Sequence, residues 1–104
     1  MKITQDAIQY INTKASKFKN PIILIYDAKF HGWWGEKRET QIKLMENPFQ
    51  TKQNNHYGKI KIELYPINDC PVPVYADLDI PKLYDSFKID VLHLGLYDYL
   101  QVTA

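Results

Sequence analysis

The chain has one cysteine, Cys70, which excludes an intramolecular disulfide and any thiolate cluster held by a single chain. A basic tract is also missing: thirteen Lys and Arg against twelve Asp and Glu leave a net charge of +1, giving no electrostatic case for nucleic acid or an anionic membrane. The longest apolar run, Ile22 to Tyr26, falls far short of the roughly 20 residues that a membrane-spanning helix needs. The opening Met-Lys-Ile-Thr-Gln-Asp lacks the apolar region of a signal peptide, so the expected location is the cytoplasm. No glycine-rich phosphate loop, nucleophile elbow or Walker-like pattern occurs, and no enzyme is expected.

What is present suits one small domain spanning residues 1–104, with 45% hydrophobic residues to supply a modest core. Thr4 is placed as an N-cap, and Ile8, Ile11, Ala15 and Phe18 share one face of a helix over Gln5 to Phe18. Asn20-Pro21 stops that helix. The run Ile22 to Tyr26 then reads as a central strand covered on both faces. Thr40 to Met45 reads as a strand with Ile42 and Leu44 inward, and Asn47-Pro48 ends it. The polar Gln50 to Gly58 is expected to be a solvated connection.

Lys59 to Tyr65 alternates, placing Ile60, Ile62 and Leu64 on one face. Three prolines between Pro66 and Pro73 push Val72 to Ala76 to a sheet edge or rim. Asp79 caps a short helix with Ile80, Leu83, Tyr84 and Phe87 as its apolar stripe. Two strands, Lys88 to Leu94 and Leu96 to Val102, break at Gly95. Their core residues are Ile89, Val91, Leu96, Leu100 and Val102, with Tyr97 and Tyr99 on the opposite face. The resulting fold class is α+β: a two-layer, mainly antiparallel domain with an N-terminal helix and a short late helix.

The stretch that stands out is Phe30-His31-Gly32-Trp33-Trp34-Gly35-Glu36, because two tryptophans between two glycines suit a presented loop. His31, Gly32, Trp33, Trp34 and Gly35 are therefore the candidate binding residues, since exposed tryptophans make strong anchors. The competing reading places one tryptophan in the core, because adjacent strand residues point to opposite faces.

His31, His56 and His93 are candidate metal ligands with Glu36 or Asp77, although their spacing matches no metal motif. Cys70 follows Asp69, whose charge is expected to raise the thiol pKa and suppress nucleophilic chemistry. Asp77 and Asp79 form a carboxylate pair, but capping gives Asp79 a structural task. Asp85, Asp90 and Asp98 read as solvent-facing.

The opening Met-Lys-Ile-Thr before an amphipathic helix, the apolar strand entering a glycine-bearing loop, and the strand, short helix and strand over Val74 to Leu92 resemble the HesB-like family. These are the A-type proteins of iron-sulfur cluster biosynthesis. The resemblance implies the family fold over nearly the whole chain. It also implies a first cysteine ligand within His31 to Gly35 and a Cys-Gly-Cys near the C-terminus. Here tryptophan occupies the first place, and Tyr97-Asp-Tyr-Leu-Gln-Val-Thr-Ala carries no cysteine, so no ligand is carried over. The function expected on that basis is a binding or accessory module, related to cluster biosynthesis, with no cofactor and an unidentified protein partner. The alternative is a metal or iron-sulfur protein using other ligands such as His31 and Cys70, shared across a dimer.

Overall fold

The structure, a computed structural model, describes residues 1–49, 56–58, 60–77 and 86–103. In chain order its elements are β1 (Lys2–Ile3), α1 (Gln5–Ala15), β2 (Pro21–Gly32), β3 (Gly35–Glu46), β4 (His56–Tyr57), β5 (Ile60–Leu64), β6 (Val74–Asp77), β7 (Lys88–Leu94) and β8 (Tyr97–Thr103). This is a mixed α+β fold, mostly antiparallel, with one helix among the described residues. The short helix expected from Asp79 lies outside the described residues, as does most of the connection over 50–58. No helix of the described residues is long and apolar enough to cross a membrane.

Helix α1 starts where expected. Thr4 Oγ1 accepts from the Ala7 amide at 3.2 Å, Asp6 sits in the first turn and Lys14 in the last, as the helix dipole favours. The helix ends at Ala15, and Lys17 and Phe18 turn back onto the carbonyls of Lys14 and Ala15. Across this corner the Glu46 carboxylate accepts from the amides of Lys19 (3.1 Å) and Asn20 (2.7 Å). The helix end and the β2 start are thereby tied to the end of β3.

Two sheets follow, ordered β3-β2-β6-β5-β4 and β1-β7-β8. Their shared core joins Ala7 and Ile11 of α1, Ile23 and Ile25 of β2, Val74 and Ala76 of β6, and Ile89 and Val91 of β7. Ile42, Leu44, Leu100 and Val102 pack against it. On the other face of β2, Ile22 and Leu24 are buried as well, so this strand is covered on both sides as its continuous apolar run requires.

Several expectations are corrected. The edge position expected for Val72 to Ala76 is wrong: β6 is central, pairing β2 in parallel and β5 antiparallel. The prolines stop at Pro73, so every amide of Val74–Asp77 is free to join a ladder, and the Pro73 carbonyl itself accepts from Ile23. His56 and Tyr57 are not solvated connection but β4, paired with Lys61 and Ile60. Leu64 does not share the burial of Ile62, and Leu96 is 97% exposed in the β7–β8 turn. A turn residue belongs to neither face of its hairpin.

Candidate functional site

The expected loop over residues 30–36 is strand for most of its length. Strands β2 and β3 pair without interruption from Pro21↔Glu46 to Gly32↔Gly35, leaving only Trp33 and Trp34 as the turn. Strand β6 covers β2 only from Ile23 to Ile25. Beyond that point the ribbon leaves the body, and every residue from Lys29 to Glu39 is exposed. The site is therefore the tip of a projecting two-stranded arm.

Neither tryptophan takes a positive φ, whereas Gly35 adopts φ +102°. The left-handed backbone that closes so tight a hairpin is thus taken up by the glycine after the turn. Neither tryptophan is core: Trp33 is 96% exposed and Trp34 58%. Their rings meet edge to face, with centroids 6.0 Å apart and planes at 83°. Trp34 folds back over Gly32 so closely that a Cβ at position 32 would overlap its ring. This gives Gly32 its reason for lacking a side chain.

Cross-strand partners share a face, so the register sorts the arm into two sides. Lys29 and Arg38 stand opposite one another on the first. Glu36 lies between them, its Oε1 3.4 Å from Lys29 Nζ and 3.7 Å from Arg38 Nε. The Lys29 ammonium, with His31 and Arg38 adding to it, holds the Glu36 carboxyl below its ordinary range. His31 is opposite Glu36 on this charged side.

The second side carries Phe30 and Lys37, directly opposite each other, with the Trp34 ring over Gly32. Phe30, Trp34, Lys37 and Glu39, with Lys29 and His31 of the charged side at its border, line a groove of about 440 Å³. Lys37 Nζ is 2.8 Å from Glu39 and lowers its pKa. An aromatic wall beside a charged rim can hold a flat ring or an apolar side chain. Phe30 and Lys37 were missed as lining residues because their contribution depends on the register.

A second groove, of about 500 Å³, runs between α1 and the β7–β8 hairpin, lined by Asp6, Gln9, Tyr10, Thr13, Lys14, Val91, His93 and Asp98. His93 Nδ1 lies 2.7 Å from Asp98 Oδ1, and that bond raises the imidazole pKa, helped by the charges of Asp6 and Asp90. The Thr13 hydroxyl in this groove donates to the Gln9 carbonyl at 2.9 Å. The pairing of His93 with Asp98 was missed by reading them separately; the turn glycine Gly95 sets them opposite one another.

Asp90 is not simply solvent-facing. It accepts from the Thr4 hydroxyl and from the Val91 amide, both at 2.8 Å, and its pKa is lowered chiefly by the Val91 bond. Cys70 is half-buried against the core, and burial raises its thiol pKa, in place of the expected effect of Asp69. Asp77 is buried and has interacting neighbours, while Asp79 lies outside the described residues. His56 is exposed on β4. Among the described residues no group of three His, Cys, Asp or Glu side chains is arranged to hold a metal ion, so His31 and Cys70 belong to none.

Compared with known proteins, the chain matches no family model, no curated protein and no solved structure.

Proposed function

We propose that this chain is a divergent HesB-like domain that has given up cluster carriage and serves as a recognition module, with the aromatic tip of the β2–β3 arm as its contact element. The observation that carries the reading is the 96% exposure of Trp33 at the end of a ribbon that the body does not cover. Exposing an indole to water forgoes roughly 2–3 kcal/mol of burial, which a partner recovers. The Phe30–Trp34 groove beside it supplies an apolar seat, and the Lys29–Glu36–Arg38 network keeps the free ribbon edges charged against indiscriminate strand pairing. The HesB-like part of the reading rests on element order and hydrophobic pattern alone.

The test is site-specific photo-crosslinking from position 33 in cells, followed by affinity measurements on whatever protein is captured. Both tryptophans of the chain lie in the tip, so intrinsic fluorescence reports its occupancy directly. Binding that weakens at least tenfold in the Trp33→Ala, Trp34→Ala double variant supports the reading. An undiminished affinity in that variant ends it. Stoichiometric iron or zinc in untagged protein, lost on changing Cys70 or His31, would put the metal alternative in its place.

A further inference from the structure

The β7–β8 hairpin reverses its polarity along its length. Near the body its inner face is apolar, through Ile89↔Val102 and Val91↔Leu100, and its outer face is polar, through Lys88↔Thr103 and Asp90↔Gln101. Beyond Val91 the two faces exchange character. The inner pair becomes His93↔Asp98, while the outer pairs become Leu92↔Tyr99 and Leu94↔Tyr97. A sheet face left to water alternates the other way, with polar residues outside. Yet Leu92, Leu94, Tyr97 and Tyr99 are 39%, 55%, 67% and 51% exposed, and Leu96 at the turn 97%.

We propose that this outer face is a self-association surface, on which two copies of the chain pack face to face about a two-fold axis. Two properties select a second copy as the occupant. The first is charge: the apolar half of the face has no ionised side chain. Its polar half has one of each sign, Lys88 and Asp90, 4.0 Å apart. Laid against itself, such a face meets no block of like charge, whereas an acidic or basic partner finds no complementary patch.

The second property is area. From their fractional exposures the four side chains of this face, Leu92, Leu94, Tyr97 and Tyr99, offer roughly 500 Å², so two copies would remove on the order of 1,000 Å² from water, the size of a weak, reversible interface. A two-fold arrangement uses the same patch twice and closes on itself, needing no second complementary surface. Paired sheets would sit about 10 Å apart, with the tyrosine hydroxyls at the wet rim. The surface is separate from the arm, and the inference does not depend on what the arm binds.

Sedimentation velocity of the whole chain from about 1 µM to about 500 µM is expected to show a reversible monomer–dimer equilibrium, its dissociation constant in the tens of micromolar. Leu94→Lys and Tyr99→Lys should each weaken it tenfold or more while leaving circular dichroism unchanged, because both side chains are exposed in the monomer. Leu64→Lys, at an exposed leucine on β5, and Trp33→Ala should leave the equilibrium as it is. A chain that stays monomeric throughout the range overturns the proposal. So does a dimer indifferent to both hairpin variants or dissolved by Trp33→Ala, and so does association that appears only on added phosphatidylcholine vesicles.

Discussion

The Thr4 hydroxyl donates to the Asp90 carboxylate at 2.8 Å across 86 positions of sequence, and the same oxygen accepts from the Ala7 amide. One side chain thus caps α1 and anchors that cap to β7. Thr4→Ala should cost about 1–2 kcal/mol of unfolding free energy, at the upper end for a lost cap because the Asp90 partner is lost as well. Urea unfolding followed by circular dichroism gives the number; a change within error would remove the cap from any account of stability.

Asp90 supplies a matching acid dependence. Its folded pKa lies below the ordinary 3.8, so its contribution is complete above that value and disappears as pH falls through the folded one. The difference in urea midpoint between the wild-type chain and Asp90→Asn should therefore shrink on going from pH 6 to pH 2.5. A difference that stays constant over that interval contradicts the assigned shift.

For His93 the sign is opposite. Asp98 raises its pKa above the ordinary 6.5, so the pair stabilises fully below 6.5 and ceases to do so as pH rises through the folded value. An NMR titration of the imidazole should show a midpoint above 6.5 that drops in Asp98→Asn. Both groups are exposed, so the effect on stability is small and should fade at high salt.

Gly32→Ala pushes a Cβ into the Trp34 ring and should rotate it off the Phe30 groove. The expected signature is a changed near-UV dichroism from the two indoles with unchanged far-UV dichroism, since the body does not depend on the tip. An unaltered near-UV spectrum would mean that Trp34 does not rest on Gly32.

Core and tip should separate cleanly by energy. Ile25→Ala, at a position with no exposed surface, should cost about 2–5 kcal/mol. Trp33→Ala should stay within about 0.5 kcal/mol of the wild-type chain. Equal losses in both would place Trp33 in the folding unit.

Hydrophobic pattern made legible those elements that bury a face. Helix α1, the buried part of β2 around Ile22 to Ile25 and the inward Ile42 and Leu44 of β3 all leave a periodic trace. The arm left none, because from Lys29 to Glu39 the ribbon is held by its own hydrogen-bond ladder with no core beneath it. Residues 30–36 therefore read as loop although most of them are strand. The central place of β6 was hidden for a different reason: prolines announce an interrupted ladder, but these end one residue before the strand begins. The tryptophans stood out by composition, whereas Phe30 and Lys37 became partners to Trp34 only once the register was known.

The pairing of Lys2 and Ile3 with Lys88 and Ile89 has a bearing on how the chain is made. A ribosome releases the first strand long before the seventh, so β1 must wait, and the Thr4 cap lacks its anchor until Asp90 emerges. Closing so long a loop is slow relative to local pairing. The β2–β3 hairpin, joined by two residues, can zip first. A nascent chain halted before position 88 would then expose the inner face of that hairpin with no second sheet to receive it, making the final segment the one that commits the domain to its folded state.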